Sequence, residues 1–145
     1  MRMLRYALPA LALLLPHQAR AEAPAVVEVY KHPLCGCCEK WVDHMQRSGF
    51  TVRMHNVNDV PAIRRQFGMP ERLGACHTAK MGDYLIEGHV PAADVARLLR
   101  EKPDALGIAV PGMPPGSPGM PSLKPVSYDT LLVRRDGSTR VFSRH

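Results

Sequence analysis

The apolar and polar positions along the chain fall into short periodic blocks. Ala25 to Tyr30 (AVVEVY) is rich in β-branched residues and predicts a strand. Cys38, Trp41, Val42 and Met45 then recur at helical spacing, and Ser48-Gly49 closes that helix. Phe50 to Val57 alternates and predicts a second strand. Asn58-Asp59 caps a short helix, Val60 to Phe67, with Pro61 in its first turn and Gly68-Met69-Pro70 as its stop. The stretch ERLGACHT predicts a loop or short helical turn. It leads to two apolar runs, His77–Met81 and Tyr84–Glu87, around a Gly82-Asp83 hairpin turn. Pro91 to Asp94 opens a helix that carries Val95, Leu98 and Leu99 and ends near Lys102-Pro103.

The predicted order is β-α-β-α-β-β-α. The opening βαβ unit implies a right-handed crossover and a parallel strand pair. With a cysteine-rich turn between the first strand and the first helix, this is an α/β, thioredoxin-like layout. Residues 109–121 (AVPGMPPGSPGMP) hold five Pro and three Gly in thirteen positions. Such a strap is excluded from helix and from central strand. Tyr128–Arg134 and Thr139–Ser143 flank Asp136-Gly137, so a terminal β-hairpin is expected within 126–145.

The first 21 residues change the setting. Arg2 and Arg5 precede a short apolar run, Ala7 to Leu15, and Ala19-Arg20-Ala21 fits a small-x-small cleavage pattern. This predicts a secretory signal peptide over 1–21, cut after Ala21 or alternatively Ala23, and an exported protein without stable membrane insertion. The run is too short for a span, which needs ~20 apolar residues. The remaining residues, 22–145, form one small domain. Cleavage removes three of the 19 Lys and Arg and none of the 13 acids, so the net charge falls from +6 to +3. No basic run suggests nucleic acid. Arg64-Arg65 and Arg134-Arg135 read as ordinary solvated pairs.

Export matters because the chain carries four cysteines, three of them in KHPLCGCCEKW. Oxidising compartments preserve disulfides. Neighbouring Cα atoms ~3.8 Å apart cannot be bridged without strain. Only Cys35–Cys38, or a bridge from the trio to Cys76, is comfortable. The Cys35-x-x-Cys38 spacing at a strand-to-helix turn is a redox signature, and a helix start favours thiolate. Cys37 adds a thiol that a dithiol exchanger does not need. In the expected layout the loop holding Cys76-His77-Thr78 abuts the cysteine turn, where thioredoxins usually have a cis-proline. There is no proline between Pro70 and Pro91. Four convergent thiolates at Cys35, Cys37, Cys38 and Cys76 suit soft Cu(I), or Zn(II).

Other candidates have competing readings. His77 is either a ligand or the exposed start of a strand. His32 reads as a solvated loop residue and His44 as an exposed helix residue. His55 and His89 read as surface, and His145 as a ligand or a frayed terminus. Trp41 and Met45 belong to the buried stripe of their helix. Met113 and Met120, each in a P-G-M-P frame, are soft donors or pins that hold the strap to the core.

The blocks CGCCEKWVDHM, LGACHTA, YLIEGHVPAADVARLL and AVPGMPPGSPGM, with the closing hairpin, carry a resemblance. The chain resembles the CopG-type copper-resistance family of small exported metal-binding proteins, along nearly all of its mature length. The resemblance implies a thioredoxin-like fold and a periplasmic location in a Gram-negative bacterium. It further implies copper at Cys35, Cys37, Cys38 and Cys76, and a role as a redox-active copper carrier in copper resistance. Partners would be copper ions and other periplasmic copper-handling proteins. Whether such a protein is also an enzyme stays open. Two other readings stand beside it: a thiol–disulfide oxidoreductase using Cys35 and Cys38, and a structural zinc site in an interaction module.

The strap yields a test of its own. Met113→Leu/Met120→Leu roughly keeps volume, so packing should lose less than ~1.5 kcal/mol per site. Faster loss of Cu(I) to a chelator is expected if the thioethers relay the ion. Reduced thermal stability with unchanged copper exchange would make them packing residues.

Overall fold

The computed structural model describes residues 25–145; the expected signal peptide lies outside them. The strands are β1 (Val27–Lys31), β2 (Val52–Asn56), β3 (His77–Met81), β4 (Tyr84–Glu87), β5 (Gly107–Ala109), β6 (Asp129–Val133) and β7 (Thr139–Arg144). The helices are α1 (Gly36–Arg47), α2 (Val60–Phe67) and α3 (Ala92–Glu101), with a 3-10 turn at Glu71–Leu73. No helix among the described residues is long and apolar enough to cross a membrane.

The strands form one mixed sheet in the order β2-β1-β3-β4-β5-β6-β7. The β1–β2 and β4–β5 pairs are parallel and the other pairs antiparallel. The parallel pairs are those joined through helices α1 and α3, as crossover connections require. One face of the sheet packs Val27, Val29, Ala79, Ile86 and Ile108 against Trp41, Met45, Val95 and Leu98 of the helices. The other face carries a smaller cluster of Met69, Leu73, Leu85, Ala109 and Val133.

Local chemistry accounts for most boundaries. α1 buries Cys38, Trp41, Val42 and Met45, its apolar stripe. The Asp59 carboxylate accepts a hydrogen bond from the Ala62 amide and caps α2, which Gly68 ends in the left-handed region at φ 83°. The Trp41 indole N–H donates to the Val90 carbonyl at 2.8 Å and ties α1 to the chain after β4.

Two expectations need correction. β5 was not anticipated, and Ala109, placed in the strap, is its last residue, in the interior of the sheet. Three residues are too few for a period, and the strand exists because β4 and β6 supply partners on both sides. Arg64, read as solvated, is 5% exposed, because it forms an ion pair with fully buried Glu87. Its neighbour Arg65 is exposed.

Gly107 marks the tightest point in the sheet. A Cβ there would collide with the Leu85 carbonyl, its partner across the β4–β5 pair. Gly107→Ala should therefore destabilise the fold by about 2 kcal/mol or more, as an overpacked site does. Urea unfolding measures this, and an unchanged midpoint would contradict the close approach.

Candidate metal centre

Cys35 is the N-cap of α1, and Cys37 and Cys38 lie in its first turn. Their arrangement follows from the helix start itself. Cys76 lies immediately before β3. The β1–β3 register pairs Lys31 with His77, so the residue before His77 lies beside the turn that leads from β1 into α1. The four sulfur atoms lie within 4.8 Å of one another. Cys35 and Cys38 are joined as a disulfide, with Cα atoms 5.3 Å apart. Cys37 and Cys76 are free thiols. Cys37 Sγ is 3.5 Å from Cys35 Sγ and 3.7 Å from Cys76 Sγ.

A buried polar network holds the loop that carries Cys76. Glu87 Oε1 accepts from Arg64 Nε at 2.7 Å and from the Ala75 amide at 2.8 Å. Thr78 Oγ1 donates to Glu87 Oε2 at 2.6 Å, and Arg64 Nη2 donates to the Ala75 carbonyl at 2.6 Å. Burial pushes the Glu87 carboxyl up from its usual range, while the bonds from Thr78, Ala75 and Arg64 pull it back.

Histidine enters the same centre. His89, read from sequence as a surface residue, is fully buried, and its Nε2 lies 2.9 Å from Cys76 Sγ. The β3–β4 register pairs Thr78 with Glu87 and Met81 with Tyr84. Two places further along, the same register sets Cys76 opposite His89. The Gly82-Asp83 turn carried that information, since a two-residue turn sets the pairing of the strands it joins. His77 is likewise buried, not an exposed strand start, and its Nδ1 lies 3.5 Å from Cys76 Sγ. The His77 ring rests between Trp41, at 4.4 Å, and His89, at 5.2 Å.

The remaining candidates lie elsewhere or contribute differently. His32 is exposed in the loop before Cys35. His44 is half-buried, and its Nε2 accepts from the Ala92 amide at 3.0 Å. His55 pairs with Glu28 on the β1–β2 face. His145 is not frayed: its Nε2 is 2.9 Å from Asp94 Oδ2 and its ring stacks on Tyr128. Met113 is half exposed and Met120 partly buried in the strap. The strap meets the centre through its backbone. The Pro118 carbonyl accepts from His89 Nδ1 at 2.6 Å, and Gly119 lies against Cys37 O and Trp41 N.

Protonation follows from burial. Burial first, then the neighbouring Cys37, pushes the Cys76 thiol up to about 12. Burial lowers His89, and burial with the nearby His89 lowers His77 to about 3. A carbonyl can only accept, so His89 carries its proton on Nδ1 and turns the Nε2 lone pair to the Cys76 S–H. Neutral imidazoles and clustered thiols are a donor set for soft and borderline metal ions, once thiol protons are displaced.

Fold and site define the class: a small mixed α/β protein with a sulfur- and imidazole-lined candidate metal centre. The chain is similar to two solved structures of the copper resistance protein CopG, described as Form 1 and Form 2. Each is 39% identical with a TM-score of 0.80 and covers 85% of this chain, and the match spans 98% and 99% of those chains respectively. Residues 73–120 match a family model described as "Protein of unknown function, DUF411". No curated protein matches. The chain belongs to the CopG family of copper resistance proteins.

The buried histidines make the fold sensitive to acid. His77, at about 3 against an ordinary 6.5, binds its proton less readily folded than unfolded. The stability this group contributes is present above about pH 6.5 and is lost as the pH falls from there towards 3. The thermal midpoint of the metal-free protein should drop across that window. His77→Leu should flatten the drop, as measured by calorimetry at a series of pH values.

Proposed function

We propose that this is a periplasmic copper-binding protein that carries copper in copper resistance. Cys35, Cys37, Cys38 and Cys76 are its ligands once the disulfide is reduced. The observation that carries this reading is the convergence of four sulfur atoms on one point from two separate elements. Membership of the CopG family supports it. Thiolate sulfur selects Cu(I); zinc is the next ion the same donors accept. The domain is thioredoxin-like, spans 22–145 and is exported after cleavage near Ala21. Copper ions and other periplasmic copper-handling proteins are its partners. Redox activity balances within the site: two Cu(II) each take one electron as the Cys35–Cys38 dithiol closes to the disulfide and two protons leave.

A second reading has its own observation, the Cys35–Cys38 disulfide at a helix start. A thiol–disulfide oxidoreductase would need only that pair, and Cys37 and Cys76 would be dispensable. Cys76→Ser separates the two. Under the copper reading, Cu(I) affinity of the reduced protein falls by about tenfold or more, equivalent to about 1.4 kcal/mol, in a competition assay. An unchanged affinity would remove Cys76 from the site. Reduction of a model disulfide by the Cys37→Ser/Cys76→Ser protein, at the rate of the unaltered one, would favour the oxidoreductase.

A further inference from the structure

Helix α3 begins without a cap of its own. Its N-cap residue is Pro91, and no side-chain hydrogen bond from that residue closes the helix start. The Asp94 and Val95 amides turn back to the Pro91 carbonyl. The Ala92 amide finds its acceptor on another helix: His44 of α1, whose Nε2 lies 3.0 Å away. Three residues earlier on the same side of α1, the Trp41 indole N–H donates to the Val90 carbonyl at 2.8 Å. Two side chains of α1 thus grip alternate residues of the connection between β4 and α3. We infer that His44 is the positioning residue of this connection, a helix cap supplied across the α1–α3 contact and opened by a proton.

The chemistry of the bond sets the direction. A backbone N–H can only donate, so His44 keeps its lone pair on Nε2 and its proton on Nδ1. Protonation removes that acceptor. It also aims a positive charge at the N-terminus of α3, where the helix dipole is itself positive. Burial, then the charge of Arg47 one turn further on, lowers His44 from its ordinary 6.5. A histidine lowered in the folded state contributes stability above its unfolded value and loses it as the pH falls from there. The latch is therefore closed above about pH 6.5 and opens on the acid side.

The charged groups around His44 give an imidazolium no buried partner. Asp94, the acid in the first turn of α3, takes bonds from Thr130, Ser143 and His145. Arg97, one turn on, is held by Glu101 and the Phe142 carbonyl. In the connection, His89 bonds the Pro118 carbonyl and Cys76. On β2, which packs against α1, Arg53 and His55 are paired with Glu28. On α1 itself Lys40, Asp43 and Arg47 are exposed.

The latch joins two parts of the molecule. α1 starts at the cysteine turn. α3 is bonded through Asp94 to β6, β7 and His145. His89 lies between them, three residues before Ala92. When His44 lets go, Trp41 is the remaining side-chain hydrogen bond from α1 to the connection. Acid thus loosens the segment that carries His89 through a contact that lies outside the cysteine cluster.

The test follows amide hydrogen exchange in the metal-free protein with its disulfide intact, so its failure leaves the copper reading untouched. Protection of the Ala92 amide is divided by that of Ile86, inside the sheet, which cancels any general loss of stability in acid. From about pH 7.5 to about pH 5 this ratio should fall by about threefold or more. His44→Gln puts an amide oxygen where Nε2 lies and does not titrate, so its ratio should change by less than about 1.5-fold. His44→Leu, with no acceptor, should show the low ratio at both pH values. A constant ratio in the unaltered protein, or an equal fall in His44→Gln, overturns the latch. Where the variants fail to fold, nitrogen-15 NMR of the unaltered protein decides. The His44 ring should be the Nδ1–H tautomer at neutral pH, and it should titrate with the same midpoint as the Ala92 amide shift. The other tautomer, or separate midpoints, overturns the latch.

Discussion

The centre depends on one buried carboxylate. Glu87 ends β4 with no exposure to solvent, and it takes hydrogen bonds from α2, from the loop before β3 and from β3 itself. A buried charge is costly unless it is paired and hydrogen-bonded, and Arg64, the Ala75 amide and Thr78 meet that requirement together. The same Arg64 also bonds the Ala75 carbonyl, so both polar groups of that peptide neighbourhood are held. Cys76 follows directly in the chain. Its place opposite the cysteine turn is thus set by a network that contains no sulfur.

Two arms meet at the centre, and they are built differently. The Cys35–Cys38 arm is local: a helix start presents three sulfurs within one turn. The Cys76, His77 and His89 arm is assembled by strand register, through β1–β3 and β3–β4 pairing. A sheet holds such a register firmly, because a slip by one residue would turn every buried side chain outward. The strap from Val110 onward closes over both arms and contributes a backbone carbonyl to His89 and a glycine to the first turn of α1.

Burial gives the donors a common resting state. It disfavours charge on thiol and imidazole alike, so Cys76 keeps its proton and His77 and His89 stay neutral near neutral pH. A metal entering the site must displace thiol protons but finds imidazole lone pairs ready. The cluster therefore rests uncharged without metal and presents soft donors.

Local pattern determined much of this by itself. The periodic stripe of α1, the Asp59 cap and Gly68 stop of α2, and the Gly82-Asp83 turn each state their element within a few residues. The three cysteines at a helix start are legible for the same reason. Other features had no local signal. β5 is three residues long and is made a strand by its neighbours. Arg64 looked like any solvated arginine until Glu87, 23 residues away, drew it inside. His89 needed Cys76 across the sheet and Pro118, 29 residues on, and His145 needed Asp94, 51 residues back. A sequence window reports periodicity and turn chemistry, which are properties of neighbours in the chain. Whether a polar side chain is buried depends on a partner able to satisfy it, and only the tertiary structure brings that partner near.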